Sequence, residues 1–328
     1  MRFEIDTYTT KNKRMLWIFV SILSYFLSAV VAVLDKFLLS GRIASASMYA
    51  FMMALFSSFA LIFIPFGVEW YGLRFVGVAI ISGFLFLYAL TAFYAAAQRS
   101  EISKVAPVIG AVVAIASFLM TIGIRLAWGD SIALHPEILL AFSLLIGGAL
   151  LISFDLPLKK TSTVPFVTVV SGILFAGSII LLKVSYNEMN FVNGYFWSRA
   201  GMFFAGFSLL LVPVFRKEIL HYSTHFSKPH PHHAMTGFLF GVNKASGGIA
   251  AFLLAYAVSI GPLSLVHALN GTQFAFVFIL SLGLSLFFPK VYGEKLALND
   301  WVQKVVALAL IILGIWLLSV NSEKLVLF

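Results

Sequence analysis

The chain has 328 residues, of which 61% are hydrophobic and 11% are charged. Soluble domains carry roughly 45–50% apolar and about 25% charged residues, so this composition argues against a soluble globular protein, and its hydrophobicity excludes a disordered one. The absence of cysteine from the sequence excludes disulfides, zinc–thiolate sites, iron–sulfur clusters and thiol catalysis. The net charge of +9 resides in short spacers between apolar runs, which favours a membrane surface over nucleic acid as the partner.

Ten runs are long and apolar enough to form transmembrane helices, which need about 20 residues. They lie at residues 15–38, 47–66, 73–97, 104–127, 136–153, 166–186, 193–214, 236–259, 262–288 and 299–319. The runs are continuously apolar and do not alternate as barrel strands do, so helices are predicted. The first run is too long for the apolar core of a signal peptide and lacks a clear cleavage site, so it is expected to be retained. The predicted fold class is an all-α membrane protein with ten transmembrane helices.

The second half of the sequence repeats the first. Trp128–Leu134, after the fourth run, and Tyr292–Leu298, after the ninth, share the order aromatic, glycine, acid, any residue, aliphatic, alanine, leucine. Each segment is followed by an apolar helix that ends in glycine and then Leu-x-Ser. The residues that correspond in the two halves include Lys36 and Lys183, Gly148 and Gly314, Val105 and Val266, and Ile109 and Asn270.

The repeat is predicted to be inverted. Each half has five helices, an odd number, so a second copy that follows directly enters the membrane from the opposite side. Inverted repeats about an axis in the membrane plane are typical of secondary transporters, whose sites lie near the midplane. The predicted organisation is an N-terminal tail at 1–14, a first repeat at 15–155, a linker at 156–165, a second repeat at 166–320 and a C-terminal tail at 321–328.

These features resemble one family of membrane proteins. Two five-helix halves, each with a small-residue third helix, a fourth helix, a Gly-acid turn and a final helix, are similar to the EamA-type transporters of the drug/metabolite transporter superfamily. The resemblance covers about residues 15–320, and Asp130 replaces the usual glutamate of the first half. It implies a transporter of small metabolites, in many cases an exporter, with both termini cytoplasmic. Substrates of the family range over amino acids, nucleotide sugars, organic anions and drugs.

The sequence offers no starting point for an enzyme. It contains no G-x-x-x-x-G-K-[ST], H-E-x-x-H or G-x-S-x-G motif, and no buried pair of catalytic groups stands out. We therefore expect no catalytic residues and no cofactor. The spacer at residues 215–234 holds five histidines that could bind a transition metal, but Pro229 and Pro231 interrupt them. A solvated spacer without a metal site is the prediction, and the acids Asp130 and Glu294 are expected to stabilise helix starts.

Polar side chains at membrane depth are costly and are therefore functional candidates. In the ninth run His267, Asn270 and Gln273 are spaced three residues apart. From the rise per residue of an α-helix that starts at residue 262, Asn270 is expected roughly 12 Å inside the membrane, near the midplane. Cations outnumber acids at depth, which favours an anionic or zwitterionic solute. The predicted substrate-binding residues are Tyr25, Lys36, Tyr88, Gln98, Lys183, Asn243, Lys244, His267, Asn270 and Gln273.

Structural roles are open alternatives for several of these residues. Asp35 and Lys36 lie near a helix end and could form a snorkelling pair, as could Lys183 alone. The polar residues of the ninth run could instead hold helices together through hydrogen bonds.

The sequence predicts a secondary transporter, a permease or exporter, that moves a small polar metabolite by alternating access. The alternatives are a translocator of lipids or lipid-linked headgroups and a non-transporting membrane scaffold. The expected partners are a small-molecule substrate and the lipid bilayer, with no nucleic acid, and the sequence does not give the oligomeric state. Basic residues before the first run favour cytoplasmic termini, although the other loop charges favour the opposite. On the basis of the resemblance, both termini are predicted to be cytoplasmic. The expected location is the plasma (inner) membrane if the protein is prokaryotic.

Overall fold

The computed structural model describes residues 2–39, 45–99, 102–127, 136–153, 166–225, 233–262, 266, 269–287 and 298–320. Every regular element within these ranges is a helix, which confirms the all-α fold class. The α-helices are α1 (Arg2–Leu39), α2 (Ala46–Phe56), α3 (Gly72–Arg99), α4 (Ile102–Ala127), α5 (Pro136–Ser153), α6 (Phe166–Glu188), α7 (Phe191–Leu209), α8 (Pro213–His225), α9 (His233–Ile260), α10 (Gly271–Phe287) and α11 (Leu298–Val320).

Several helices are long and apolar enough to cross a membrane. In the part of the chain described, five pass this criterion by length and composition, and a sixth passes if α7 and α8 form one bent span. The five are Leu16–Asp35, Ala46–Phe66, Gly72–Ala96, Phe166–Glu188 and Gly237–Ile260. The chain is therefore a multi-pass membrane protein, and the count of ten spans stays a prediction.

The first helix extends well beyond its apolar run. The run was predicted at residues 15–38, whereas α1 begins at Arg2 and ends at Leu39. No glycine or proline occurs between these two residues, so nothing in the local sequence interrupts the helix. The predicted N-terminal tail at 1–14 is thus mostly helical.

The second run forms two kinds of helix. α2 ends at Phe56 and a 3-10 helix continues over Ser57–Phe66. The hydroxyls of Ser57 and Ser58 donate to carbonyls three residues earlier, and Pro65 lacks the amide that an α-helix needs. Gly67, at a φ of 87°, then ends the segment in a left-handed conformation that favours glycine.

The seventh run is broken near its end. A single helix was predicted at 193–214, followed by a solvated spacer, but α7 stops at Leu209 and α8 begins at Pro213. The two helices are bent by 90°. Proline has no amide to continue α7 and is favoured at the first position of a new helix. Residues 213–225 of the predicted helix end and spacer are therefore helical.

The ninth run, predicted as one helix at 262–288, is interrupted. Val266 is helical and its amide donates to the Pro262 carbonyl at 3.0 Å, but Leu269 and Asn270 form a turn and α10 begins at Gly271. The amides of Thr272 and Gln273 bond back to carbonyls of that turn with three-residue spacing, as at the start of a new helix. Asn270 therefore lies in a break just before α10 and not inside one continuous helix.

The helices divide between two compact units. The first unit comprises residues 1–40, 133–157 and 236–328, and the second comprises 41–132 and 158–235. The first unit thus contains α1, α5, α10, α11 and nearly all of α9, and the second contains α2, α3, α4, α6, α7 and α8. Each unit combines helices from both halves of the sequence.

In the first unit, α5 and α11 pack through glycine. A Cβ added to Gly148 would lie 2.8 Å from the carbonyl oxygen of Ala307, and one added to Gly314 would lie 3.0 Å from that of Ala141. The later residue of each helix therefore faces the earlier residue of the other, so the two helices run antiparallel. Small residues that let backbones approach closely are the usual means of packing helices in a membrane.

In the second unit, α3 is the central helix and contacts both α6 and α7. Ser82 and Ser178 each donate a hydroxyl hydrogen bond to the other's carbonyl, at 2.8 and 2.9 Å, and so join α3 to α6. Gly83 of α3 and Gly201 of α7 leave no room for a Cβ, since each faces backbone atoms of the other helix.

Replacement of Gly83 by alanine should lower the melting temperature of the detergent-solubilised protein. A Cβ at this position would lie 2.5 Å from the amide nitrogen of Met202 and also meet the Ser198 carbonyl, so α3 and α7 must separate. Overpacking of this kind costs about 1–3 kcal/mol. The matched control is Gly77→Ala on the same helix, where a Cβ meets nothing within 4 Å. It should be neutral or raise stability by about 0.5–1 kcal/mol, and equal effects at the two positions would contradict the packing described.

Candidate functional site

A buried charged cluster joins α1 to α9 in the first unit. The ammonium nitrogen of Lys244 lies 3.0 Å from Oδ1 of Asp35, and the amide nitrogen of Asn243 donates to the same oxygen at 2.5 Å. All three residues belong to apolar helices of spanning length. We name Asp35, Asn243 and Lys244 the charged cluster.

Hydrogen bonds elsewhere along α1 hold the cluster in place. The hydroxyl of Ser24 donates to the carbonyl of Ala250 on α9 at 2.8 Å, and the hydroxyl of Tyr25 donates to the carbonyl of Val266 at 2.9 Å. Gly247 faces Val31 at ordinary van der Waals distance, which lets α9 lie close to α1. The Ser24 and Gly247 contacts thus hold α1 against α9 on one side of the cluster, toward the start of α1 and the end of α9.

The cluster is largely withdrawn from solvent. The side chains of Lys244 and Asp35 are 5% and 14% exposed, and Asn243 is fully buried. Attraction between opposite charges is strong where water is excluded, and loss of one partner leaves the other as an uncompensated buried charge. Oδ1 of Asn243 is buried and has no hydrogen-bond partner among the residues that the structure describes. A polar solute that reached the cluster could therefore donate to Asn243 while its own anionic group bound Lys244.

A second set of polar residues lies in the second unit. Lys183 of α6 is buried, and the hydroxyls of Tyr88 on α3 and Ser208 on α7 are hydrogen-bonded at 2.9 Å. The guanidinium of Arg199 on α7 lies 4.8 Å from the ring centroid of Tyr195 and 5.2 Å from that of Phe86. These distances are typical of cation–π contacts.

The structure brings together some of the predicted site residues. Asn243 and Lys244 meet, and their shared partner is Asp35, which the sequence had linked to Lys36 as one alternative. Asn270 and Gln273 are half-buried at the start of α10. The hydroxyls of Tyr25 and Tyr88 are engaged within the protein, as described above. Lys36 and Gln98 belong to α1 and α3 but their side chains are not described, and His267 lies outside the described residues.

The histidine-rich segment and the repeated turns are only partly described. His221 is exposed on α8, and the side chains of His225 and His233 are not described. His230, His232, Asp130 and Glu294 lie outside the described residues. In the described ranges, no group of three histidine or acidic side chains is placed to hold a metal ion.

Sequence reasoning missed the main contact of Asp35 and the surroundings of Arg199. Asp35 is the only acid of the first predicted span, which marks it as a residue in need of a cationic partner. The identity of that partner depends on helix pairing, which the sequence does not give. Arg199 carries a comparable signal, since it lies in the middle of an apolar run with no acid nearby in sequence.

Comparison with known proteins gives a fold but no family. No protein-family model and no curated protein matches the sequence. One solved chain, described only as a crystal structure of a protein, is similar with a TM-score of 0.60 at 12% sequence identity. The match covers 96% of this chain and 99% of that chain. At such low identity the likeness shows a shared fold alone, over nearly the whole length of both chains.

Removal of one charge of the cluster should destabilise the protein more than removal of both. Lys244→Met leaves the carboxylate of Asp35 buried without its cation, which should cost about 3–5 kcal/mol. The double variant Asp35→Asn with Lys244→Met removes both charges and should recover much of this loss. Thermal unfolding in detergent measures the effect, with Arg216→Met at an exposed position of α8 as the control. Equal destabilisation by the single and double variants would show that the ion pair is not the interaction that matters.

Proposed function

We propose that this protein is a secondary transporter of the EamA type, which moves a small polar, anionic or zwitterionic metabolite across the membrane by alternating access. The proposal includes ten spans in two inverted repeats, at residues 15–155 and 166–320, and cytoplasmic termini. In such transporters the repeats rock about a site near the membrane midplane.

The observation that carries the proposal is one hydrogen bond that occurs twice. In the first unit, Ser24 of α1 donates to the carbonyl of Ala250 on α9 at 2.8 Å. In the second unit, Ser171 of α6 donates to the carbonyl of Ala89 on α3, also at 2.8 Å. Both serines are fully buried.

The four residues occupy corresponding positions in the two halves of the sequence. The alignment that pairs Lys36 with Lys183 also pairs Ser24 with Ser171. The alignment that pairs Val105 with Val266 also pairs Ala89 with Ala250. A first helix therefore bonds to a third helix of the opposite half in both cases, as expected when two copies of one fold are related by a two-fold axis.

The packing of α5 and α11 also supports inversion. These are the last helices of the two halves, and they run antiparallel with Gly148 and Gly314 at equivalent contacts. Equivalent helices of parallel repeats would run in the same direction through the membrane. Antiparallel equivalents are what an inverted duplication requires.

The make-up of the two units fits the same scheme. Each unit joins the first helix of one half to the third and fourth helices of the other: α1 with α9 and α10, and α6 with α3 and α4. A duplicated chain that exchanges its first helices in this way forms two related bodies, which is the basis of alternating access.

The polar groups support transport of a charged solute. Charged side chains inside spanning helices are costly and commonly mark a substrate or ion pathway. Asp35 and Lys244 form such a pair, and Lys183 is buried within α6. The unpartnered carbonyl oxygen of Asn243 gives the charged cluster a further binding group.

Inverted repeats with cytoplasmic termini make a topology prediction that can be tested by cysteine labelling, since the chain contains no cysteine of its own. Asn12→Cys and Asn321→Cys should both react with a membrane-impermeant maleimide from the cytoplasmic face. Ser162→Cys, in the linker after five spans, should react only from the opposite face. Labelling of all three positions from one face would contradict an odd number of spans in each half.

Transport itself is tested by uptake of radiolabelled metabolites into proteoliposomes. We expect at least one small anionic or zwitterionic compound from a panel of amino acids, carboxylates and phosphate esters to enter faster than into empty liposomes. Counterflow against the same unlabelled compound should accelerate its uptake. If folded protein takes up none of them but speeds the movement of labelled lipids between leaflets, the lipid translocator is the better hypothesis; if it does neither, the scaffold is.

For a compound that is transported, Asn270→Leu should lower the rate by an order of magnitude or more. Asn270 is half-buried at the start of α10, and its counterpart in the first half is the apolar Ile109, so packing symmetry does not require an amide there. The matched control is Asn187→Leu, at an exposed position near the end of α6. Equal rates for both variants and the original chain, at equal protein content, would assign Asn270 a structural role.

A further inference from the structure

Two buried polar groups of the second unit lack the hydrogen bonds that buried groups normally make. They are the Nε of Arg199 on α7 and the hydroxyl of Tyr186, in the last turn of α6. The Tyr186 ring packs on Phe191 with centroids 5.5 Å apart, Phe191 packs on Tyr195 at 5.7 Å, and the Arg199 guanidinium lies 4.8 Å from the Tyr195 ring centroid. Burial of a polar group without a partner costs about 1–3 kcal/mol, and more when the group is charged. Two such groups against one cluster of aromatic rings indicate a place where a ligand supplies the missing acceptor.

The surroundings of Arg199 leave the edge of its guanidinium for that ligand. The rings of Phe86 and Tyr195 lie against the guanidinium at 5.2 and 4.8 Å and carry no acceptor aimed at Nε. Within the described residues its Nη1 donates to the sulfur of Met202, at 3.5 Å, which is a weak acceptor. The guanidinium is therefore positioned by aromatic contacts, and its Nε has no acceptor in the described part of the chain.

No acidic side chain that the structure describes in this unit balances the charge. The described carboxylates there are Glu69, Glu188 and Glu218, and all three are exposed. Glu218 accepts hydrogen bonds from Ser45 and Ser47, at the start of α2. A half-buried guanidinium without a carboxylate partner is unfavourable unless an anion binds to it.

The position of Tyr186 is fixed by close packing. A Cβ added to Gly194 would lie 2.6 Å from the Tyr186 ring, so glycine at this position of α7 makes room for the ring. The ring also packs against Phe191, with centroids 5.5 Å apart. The ring is thus held against α7 on the side that carries Phe191, which itself packs on the Tyr195 ring below the guanidinium.

We infer that Arg199 and Tyr186 form an anion-binding site that takes a carboxylate or phosphate group. Nε of the guanidinium and the tyrosine hydroxyl both donate to oxygens of the ligand. The rings of Phe86 and Tyr195 hold the guanidinium in position. Arginine suits such a site because its planar fork matches the two oxygens of a carboxylate or phosphate. The ligand group belongs either to a small soluble anion or to the headgroup of an anionic lipid.

As a substrate subsite, this assignment rests on the transport function proposed above. As a binding site it is measured at equilibrium and without a gradient, so its failure and the failure of transport are distinguishable. A protein that binds the anion but transports no compound would support the binding site and contradict the proposed transport function.

The test is equilibrium binding of radiolabelled inorganic phosphate and of radiolabelled acetate to the full chain in nanodiscs of zwitterionic lipid. We expect at least one tracer to bind the original chain in a saturable manner. Arg199→Gln should weaken its binding at least tenfold, and Tyr186→Phe, which removes only the hydroxyl, by about tenfold. Arg199→Lys keeps the charge but loses the planar fork, so its affinity should fall between those of the original chain and Arg199→Gln. Arg216→Gln, at an exposed position of α8, is the control and should bind as the original chain does.

A second arm identifies the source of the group. The same measurement in nanodiscs that contain phosphatidylglycerol, with the lipids retained on purified protein counted, separates a soluble anion from a lipid headgroup. Competition by that lipid, together with loss of retained phosphatidylglycerol in Arg199→Gln and Tyr186→Phe, assigns the site to a headgroup. Undiminished tracer binding assigns it to a soluble anion.

The inference is overturned if neither tracer binds and lipid retention is the same in all variants. It is also overturned if Tyr186→Phe and Arg199→Lys, folded by their melting temperatures, bind as the original chain does.

Discussion

Water does not reach the hydrocarbon core of a membrane, so a polar group placed there must find its partner inside the protein. The helices of this chain meet that constraint with few side chains. Serine hydroxyls donate to carbonyls of neighbouring helices, as Ser24 does to Ala250 and Ser82 to Ser178. Each bond ties two helices without a charged group and needs them to lie close together. Small residues where the helices cross allow the close approach that these hydrogen bonds need.

Two pairs of polar side chains differ from these hydrogen-bonded serines. Asp35 and Lys244 compensate each other's charge within the charged cluster. Arg199 and Tyr186 have groups that nothing in the described structure satisfies. The charges of the first arrangement balance each other, while Oδ1 of its Asn243 has no hydrogen-bond partner among the described residues. The second is incomplete and becomes favourable only when an acceptor arrives. Both fit the ligand binding and transport proposed above.

The helical fold could be predicted from the sequence because the apolar runs are continuous, and most described helices lie where those runs do. The breaks could be predicted less well. Pro65 and Pro213 were visible in the sequence, but whether a proline bends a helix or ends it depends on what packs around it. The start of α10 at Gly271 carries no proline at all, and its position follows from the turn at Leu269 and Asn270. For the site, the residue types were readable but the pairing was not. Asp35 meets Lys244 because α1 packs on α9. The sequence of one helix does not tell which other helix it packs against.

The pairing of Asp35 with Lys244 has a consequence for biosynthesis. The two residues are separated by 209 positions in the chain, so the ribosome makes the acid long before its cation. The first helix is therefore made before the cation that Asp35 contacts on α9, and an acid in a membrane helix costs about 2.5–3.5 kcal/mol at the centre on insertion scales, and less near the helix end where Asp35 lies. The many aliphatic and aromatic residues of that helix offset this cost during synthesis. Until α9 is made, the contact between Asp35 and Lys244 cannot form, and the first unit cannot close before most of the chain has left the ribosome. A nascent chain that stalls before α9 would therefore lack the ion pair that joins α1 to α9.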